Sequence, residues 1–216
     1  MHIANVIFDL DGTLLDTSKG ILESIAYAAD CLGYPELPEE TLRKFIGPPI
    51  QQSFVSYYGA DEETAQKAAD VFRDYYKSTA LYGAVPYEGI YALCKALQAR
   101  GVRMAVATYK REDYAVKLLQ HFQFDEYCNP MHGGDNNNTL KKEDIVRSCL
   151  REMHGTIQNT ILVGDTYHDA LGAEKLSLPF VAALYGFGFK TNEDVEKYPH
   201  FGVIRTPEEL LTALDK

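Results

Sequence analysis

The sequence predicts an α/β fold: a doubly wound, mainly parallel sheet with a Rossmann-like core and an inserted, small α-helical cap domain. Short, almost uninterrupted apolar runs recur along the chain, which is typical of strands covered on both faces. Helical stretches separate the later runs, as in βαβ units. One long helical interval lies between the first run and the second, and its length indicates an insertion.

The apolar runs and the stretches between them predict the elements in order. The predicted strands are 6–8, 102–107, 161–163, 180–184 and 203–204, and the predicted helices are 88–100, 111–121, 141–153, 168–176 and 207–215. The first strand ends near Asp9 and the next begins at Val102, although a βαβ unit needs only about 30 residues. We therefore expect a core of residues 1–15 and 83–216 and a helical cap of residues 16–82.

Composition restricts the partners of the protein. Its 216 residues include 31 acidic and 21 basic side chains, and the net charge of −10 argues against nucleic acid or an anionic membrane as the main partner. The four cysteines form no CxxC pair, which favours reduced thiols in the cytoplasm over a zinc site or disulfides. No apolar run is long enough for a signal peptide or a membrane span. We expect a soluble cytoplasmic protein, a monomer by default, with a small-molecule partner.

Polar residues follow the predicted strands at the edge where ligands bind in open α/β sheets. They combine carboxylates, a hydroxyl and ammonium groups: Asp9 and Asp11, Thr108 and Lys110, and Asp165 and Asp169. A further ammonium group comes from the start of the helix before the third strand, at Lys141 or Lys142. Four segments of the chain are therefore expected to bring charged groups to one rim of the sheet.

This combination predicts phosphoryl transfer assisted by Mg²⁺. Asp9 and Asp11 are two positions apart, so both carboxylates face the same side of an extended segment. Gly12 permits a tight turn whose amides face an anion. Mg²⁺ prefers carboxylate oxygens, and lysines would face the phosphoryl charge. The alternative interpretation is an ordinary strand-ending turn, in which Asp and Gly are common.

Four motifs resemble those of the haloacid-dehalogenase-like hydrolase superfamily, in its helical-cap phosphatase branch of phosphoglycolate phosphatases and 5′-nucleotidases. The segment Asp9-Leu10-Asp11-Gly12-Thr13-Leu14-Leu15-Asp16-Thr17 resembles the first motif. Thr108 resembles the second motif and Lys142 the third. The segment Gly164-Asp165-Thr166-Tyr167-His168-Asp169 is similar to the fourth, Gly-Asp-x-x-x-Asp.

The resemblance implies roles for the matching residues. Asp9 would be the nucleophile that forms an aspartyl-phosphate and would also bind Mg²⁺. Asp11 would be the general acid and base, with its backbone carbonyl reaching the metal. Thr108 would hydrogen-bond the phosphoryl group, and Lys142 would neutralise Asp9 and the transferred oxygens. The motif's remaining acids complete the implied metal site: Asp165 would bind Mg²⁺, and Asp169 would bind it directly or orient Asp165.

Some positions leave alternatives open. The second motif reads Thr108-Tyr109-Lys110, where the family often has Ser or Asn before Lys, so Tyr109 would narrow the substrate pocket or offer a hydroxyl. Lys142 suits the helix face better than Lys141, because Ile145 and Val146 follow it by three and four residues.

Two loop regions and one cap turn have less specific sequences. Gly47 and Pro48 form a turn in the cap that would face the substrate or would simply break a helix. Gly186-Phe187-Gly188 is predicted to be a flexible loop, because it lacks the third glycine of a dinucleotide fingerprint. The segment 132–135 is predicted to be a loop leading to Lys142.

The function predicted from these residues is a Mg²⁺-dependent phosphatase acting on a small phosphomonoester, phosphoglycolate- or nucleotide-like. One alternative is a sugar phosphomutase of the same fold, and another is a non-catalytic phosphate- or protein-binding member. The dehalogenase branch is disfavoured, because a halide leaving group needs no general acid and Asp11 would be superfluous.

Overall fold

The computed structural model describes residues 2–46, 50–135 and 139–215. The strands in these ranges are β1 Asn5–Phe8, β2 Leu15–Asp16, β3 Val85–Pro86, β4 Arg103–Arg111, β5 Cys128–Gly134, β6 Thr160–Gly164, β7 Phe180–Ala183 and β8 Gly202–Ile204. The helices are α1 Ser18–Cys31, α2 Glu39–Arg43, α3 Ile50–Tyr58, α4 Glu62–Tyr75, α5 Ile90–Ala99, α6 Glu112–His121, α7 Lys142–Glu152, α8 Tyr167–Leu176, α9 Asn192–Val195 and α10 Glu209–Leu214. Among these described helices, none combines the length and apolar character needed to cross a bilayer.

The main sheet of the described chain has six strands in the order β5-β4-β1-β6-β7-β8, and its neighbouring strands pair in parallel. The chain moves outward from β1 to β4 and β5, then returns to β6 and continues toward β8. With right-handed crossovers this reversal places helices on both faces of the sheet. The predicted parallel, Rossmann-like α/β fold is therefore confirmed. The reversal also makes the carboxyl ends of β1 and β6 the switch point at which ligands bind in such sheets.

The strands next to the switch point are held rigidly by burial. Every residue of β1 and β6 is buried, because both faces of these central strands are covered. On one face, Ile145 and Val146 of α7 and Ala170 of α8 share a core cluster with Ile7 and Leu162 of the sheet. The ends of β1 and β6 are thus fixed points from which side chains can be positioned.

The prediction of a loop over 132–135 is wrong for most of that segment, because β5 extends to Gly134. Pro130 lacks an amide and two glycines follow, so the sequence shows no strand pattern. An edge strand tolerates both residue types, and β5 is at the edge of the sheet. A Cβ on Gly133 would lie 2.5 Å from the backbone oxygen of Lys110, so close packing against β4 requires glycine there.

The second predicted strand also differs, because β4 continues past Ala107 to Arg111. Ala107 is paired with His132 and Arg111 with Gly134, so four steps along β4 match two along β5. The extra residues form a bulge over Thr108 to Lys110, and bulges commonly redirect side chains beside functional sites. Thr108 therefore lies in a bulge of a continuing strand, whereas we predicted it at a strand end.

The chain separates into two compact units, Met1–Asp16 with Pro86–Lys216, and Thr17–Val85. The second unit contains α1 to α4 and a π-helical turn, Tyr76–Ala80. Its own core includes Ile25, Phe45 and Phe54. The predicted turn residues Gly47 and Pro48 lie outside the described residues.

Candidate active site

The turn after β1 places Asp9 and Asp11 at the switch point. The Asp9 amide donates to the Val163 carbonyl over 2.9 Å, which holds the end of β1 against β6. The carbonyl of the buried Leu10 then accepts from three following amides, so the chain folds back tightly. Gly12 has a φ of +81°, a conformation that favours glycine. A Cβ on Gly12 would also overlap the Asp165 carboxylate, so this turn packs directly on the β6 end of the site.

Three buried carboxylates form the centre of the site. Oxygens of Asp9, Asp165 and Asp169 all lie within 4.8 Å of one another. Asp169 is held at the start of α8, where its Oδ2 accepts from the Thr166 amide at 3.0 Å and from the Thr166 hydroxyl at 2.7 Å. Gly164 leaves room for Asp169, because a Cβ there would overlap its carboxylate.

Lys142 is the cation of this centre. Its ammonium lies 2.7 Å from Asp9 Oδ1 and 2.5 Å from Asp169 Oδ1, and the residue is 1% exposed. Gly172 of α8 gives the stem of Lys142 its space, since a Cβ would lie 2.7 Å from Lys142 Cγ. Lys141, the alternative considered from the sequence, is exposed at the cap of α7.

Asp11 makes an ion pair separate from the three-carboxylate group. The Lys110 ammonium lies 3.0 Å and 3.3 Å from the two oxygens of Asp11. Thr108 is buried, and its hydroxyl oxygen accepts from the Lys110 amide at 3.2 Å. The bulge of β4 thus supplies Lys110 to Asp11 and a buried hydroxyl to the same rim.

Burial and like charge perturb the acids. Burial, opposed by Lys142 and reinforced by Asp169 and Asp11, raises the pKa of Asp9 to about 7. Burial, followed by the charges of Asp169 and Asp9, raises the pKa of Asp165 well above its usual range. Burial works against the charge of Lys142, but Asp169 and Asp9 together outweigh it and raise the pKa of the ammonium.

These groups fit a divalent cation of the hard type. When ionised, the three carboxylates and Lys142 carry a net formal charge of −2, which Mg²⁺ would neutralise. At an effective dielectric constant near 20, two carboxylates 4.8 Å apart repel by about 3.5 kcal/mol. Asp165 Oδ1 is buried and has no hydrogen-bond partner within the described chain, so it is available to a ligand. An all-oxygen donor set suits Mg²⁺ better than softer metals.

Tyr109 is directed toward the start of α7. Its hydroxyl oxygen accepts from the Lys142 amide at 3.0 Å, and the Lys142 ammonium lies 6.0 Å from its ring centroid. The Tyr109 and His168 rings meet edge to face at 5.1 Å. The hydroxyl predicted to contact substrate thus already binds the backbone of Lys142. The other predicted substrate contacts, Gly47 and Pro48, lie outside the described residues.

The sequence did not predict the backbone donors that hold the Asp165 side chain. Backbone amides of Phe187 and Gly188 donate to Asp165 Oδ2 over 2.6 Å and 3.1 Å. Because nearly every residue has a backbone amide, no pattern of side chains in the sequence indicates which amides will bind a carboxylate. The available signal was position: the two glycines follow β7, the strand next to β6.

Known proteins share sequence and fold with this chain. The family model described as "Haloacid dehalogenase-like hydrolase" matches residues 6–183. The 5′-nucleotidase of Pseudomonas aeruginosa is 34% identical over 93% of this chain and 91% of its own. The tyrosine-protein kinase PtkA of Mycobacterium tuberculosis is 30% identical over 85% of this chain and 62% of its own. The crystal structure of a predicted phosphatase from Clostridium acetobutylicum has a TM-score of 0.88 and 33% identity, with 100% of both chains covered.

Proposed function

Because this chain belongs to the haloacid dehalogenase-like hydrolase family and is a phosphoric monoester hydrolase, we propose that it uses Mg²⁺ and an aspartyl-phosphate on Asp9. The proposed substrate is a small phosphomonoester, phosphoglycolate- or nucleotide-like. The name of the Pseudomonas relative supports the nucleotide. We also propose that the helical unit Thr17–Val85 is the cap domain of this phosphatase.

The proposed nucleophile is Asp9. One of its oxygens attacks the phosphorus of the ester, the bond from phosphorus to the leaving oxygen breaks, and an aspartyl-phosphate results. Lys142, 2.7 Å from Asp9 Oδ1, favours the ionised carboxylate that this attack requires. The same ammonium, together with the buried hydroxyl of Thr108, would stabilise charge on the transferred oxygens.

Asp11 is the proposed general acid and base. It would donate a proton to the leaving alkoxide as the ester bond breaks. It would then take a proton from the water that attacks phosphorus, which releases phosphate and regenerates Asp9. The ion pair with Lys110 holds the Asp11 carboxylate in place, and Lys110 would also attract the phosphate group of the substrate.

Asp9, Asp165 and Asp169 are the residues that would hold the metal, with the Asp11 carbonyl as a further oxygen donor. When bound, Mg²⁺ would neutralise negative charge on the phosphoryl oxygens and orient the group for attack. The observation that carries this proposal is the buried group itself: three carboxylates lie together, Lys142 pairs with two of them, and Asp165 Oδ1 lacks a hydrogen-bond partner within the described chain.

Phosphate release tests the proposal. Phosphoglycolate, nucleoside monophosphates, sugar phosphates and pyrophosphate would be assayed with Mg²⁺ and with EDTA, using wild type and Asp9→Asn. Asp125→Asn is the matched control, because Asp125 is exposed in the same unit. We expect release that EDTA and Asp9→Asn abolish and that Asp125→Asn leaves unchanged. Release that persists in Asp9→Asn would contradict the proposal.

Two further arms separate the other activities. A sugar phosphomutase would require a sugar bisphosphate and would release little phosphate. Transfer from ATP to a tyrosine peptide would show the activity named in the Mycobacterium relative. Either result, without hydrolysis of a phosphomonoester, would replace the proposed function.

A further inference from the structure

A loop after β7 surrounds Asp165 with three consecutive backbone amides. The amides of Phe187 and Gly188 donate to Asp165 Oδ2 over 2.6 Å and 3.1 Å. The amide of Phe189 donates to the Asp165 backbone carbonyl over 2.8 Å. Both the side chain and the main chain of Asp165 are therefore held by this segment, which we name the Asp165 loop and define as residues 186–190.

These contacts decide which oxygen of Asp165 is available. Oδ2 is committed to two donors, whereas Oδ1 is buried without a hydrogen-bond partner in the described part of the chain. A carboxylate fixed by two hydrogen bonds on one oxygen cannot rotate freely about its terminal bond. The loop thus presents one defined oxygen for coordination, and the cost of ordering it is met when the protein folds.

The loop fits only because two of its residues lack a side chain. A Cβ on Gly186 would overlap the carbonyl of Gly12 and lie 2.5 Å from Asp165 Oδ2. A Cβ on Gly188 would lie 2.5 Å from the Asp165 carbonyl. At both positions the obstacle includes backbone, which cannot move aside as a flexible side chain can. Either methyl group would therefore push the amides away from Asp165.

The loop is anchored at its far end. Phe189 is buried and packs against Phe180 of β7 and Tyr198, with ring centroids 6.4 Å and 5.7 Å away. The Lys190 ammonium donates to the Gly186 carbonyl and closes the loop on itself. The anchor and the closing contact together keep the amides directed at Asp165.

We infer that the Asp165 loop is a positioning element that sets the affinity of this site for a divalent ion, with Gly186 and Gly188 as its positioning residues. The inference rests on the proposed function, in which Asp165 binds Mg²⁺. The loop is proposed to act on the metal site through its hydrogen bonds to Asp165, without contacting the substrate. Residues that orient metal ligands typically change metal affinity about 10- to 100-fold when altered, and we expect a change of that size.

The test is the dissociation constant of Mg²⁺, measured by calorimetry without substrate. Gly186→Ala and Gly188→Ala should bind Mg²⁺ about 10- to 100-fold more weakly than wild type. Gly202→Ala is the matched control, because a Cβ there meets only Val181 Cγ2, at 4.0 Å. In kinetics, the Mg²⁺ concentration for half-maximal rate should rise while kcat at saturating Mg²⁺ changes little. General damage to the fold would lower kcat as well.

Lys190→Met is the second variant, because the Lys190 side chain is exposed and its replacement removes the closing contact. We expect it to fold and to bind Mg²⁺ several-fold more weakly. Wild-type affinity in the folded glycine variants, or in Lys190→Met should the glycine variants not fold, would overturn the inference. A wild-type protein that binds no divalent ion would instead overturn the proposed function and this inference with it.

Discussion

Replacing Asp165 with Asn should stabilise the metal-free protein and abolish its response to Mg²⁺. Asp165 is fully buried, and the ion pairs of Lys142 in the described chain reach Asp9 and Asp169 but not Asp165. Asparagine keeps a carbonyl oxygen for the two loop amides and removes the negative charge. The variant therefore loses repulsion while it keeps the packing of the site.

The size of the gain follows from the spacing of the carboxylates. Separations of at most 4.8 Å correspond to at least about 3.5 kcal/mol of repulsion for each pair of ionised carboxylates at an effective dielectric constant near 20. Asp165 relieves part of this repulsion by holding a proton in the folded state, so we expect a gain of about 1–3 kcal/mol. In a protein of this size each kcal/mol shifts Tm by about 2–4 °C.

The pH dependence of the gain has a definite sign. Burial, then Asp169 and Asp9, raise the pKa of Asp165, so the folded state retains a proton that the unfolded state releases above about pH 4. The carboxyl group therefore costs stability increasingly as the pH rises. The advantage of Asp165→Asn should grow as the pH rises above about 4 and should disappear as the pH falls toward 4.

Thermal unfolding in EDTA and in Mg²⁺ measures both effects. Mg²⁺ at about 100 times its dissociation constant should stabilise wild type by about 2.7 kcal/mol and should leave Asp165→Asn unchanged. Asp125→Asn, an exposed control, should behave as wild type. A metal-free Asp165→Asn protein that is less stable than wild type at pH 8, or one that Mg²⁺ still stabilises fully, would refute the reasoning.

Three further substitutions test the remaining roles. Asp11→Asn should slow single-turnover phosphorylation of the enzyme by alkyl phosphates about 100- to 10,000-fold. Phosphorylation by aryl phosphates should slow much less, because an aryl leaving group needs no proton. Equal losses with both substrates would contradict the role of Asp11 as general acid. Lys142→Met leaves Asp9 and Asp169 buried without their cation. The free energy of unfolding in EDTA should therefore fall by about 3–5 kcal/mol. An unchanged Tm would show that Lys142 does not balance the charge of these two carboxylates. Tyr109→Phe removes the acceptor of the Lys142 amide, a hydrogen bond that contributes about 1 kcal/mol. We expect this loss to raise the activation free energy, so kcat should fall roughly fivefold at constant KM. A higher KM alone would indicate that Tyr109 binds substrate.

The positions of several candidate site residues could be predicted, because they lie at the carboxyl ends of parallel strands. Asp9 and Asp165 come directly after strands with continuous apolar sequences, and parallel strands bring their carboxyl ends to one edge. The choice of Lys142 over Lys141 followed from helical spacing, since Ile145 and Val146 on the same face are buried. In these cases a local pattern determines the direction of the side chain.

The features that were not predicted depend on contacts between distant backbones. Gly133 in β5 is needed because the bulge of β4 lies against it, a tertiary constraint that local strand propensity does not contain. The Asp165 loop works through amides, so only the absence of side chains at Gly186 and Gly188 marks it. Likewise, the pairing of Asp11 with Lys110 depends on that bulge.

The central claim, that Asp9 is phosphorylated during turnover, is tested most directly by trapping. The protein would be mixed with substrate and Mg²⁺, quenched in acid within one turnover and treated with borohydride, which reduces an acyl phosphate to an alcohol. Peptide mass spectrometry should then find homoserine in place of aspartate at position 9 and unmodified aspartate at position 11. Homoserine at another position, or intact Asp9 in protein quenched during rapid phosphate release, would contradict the account.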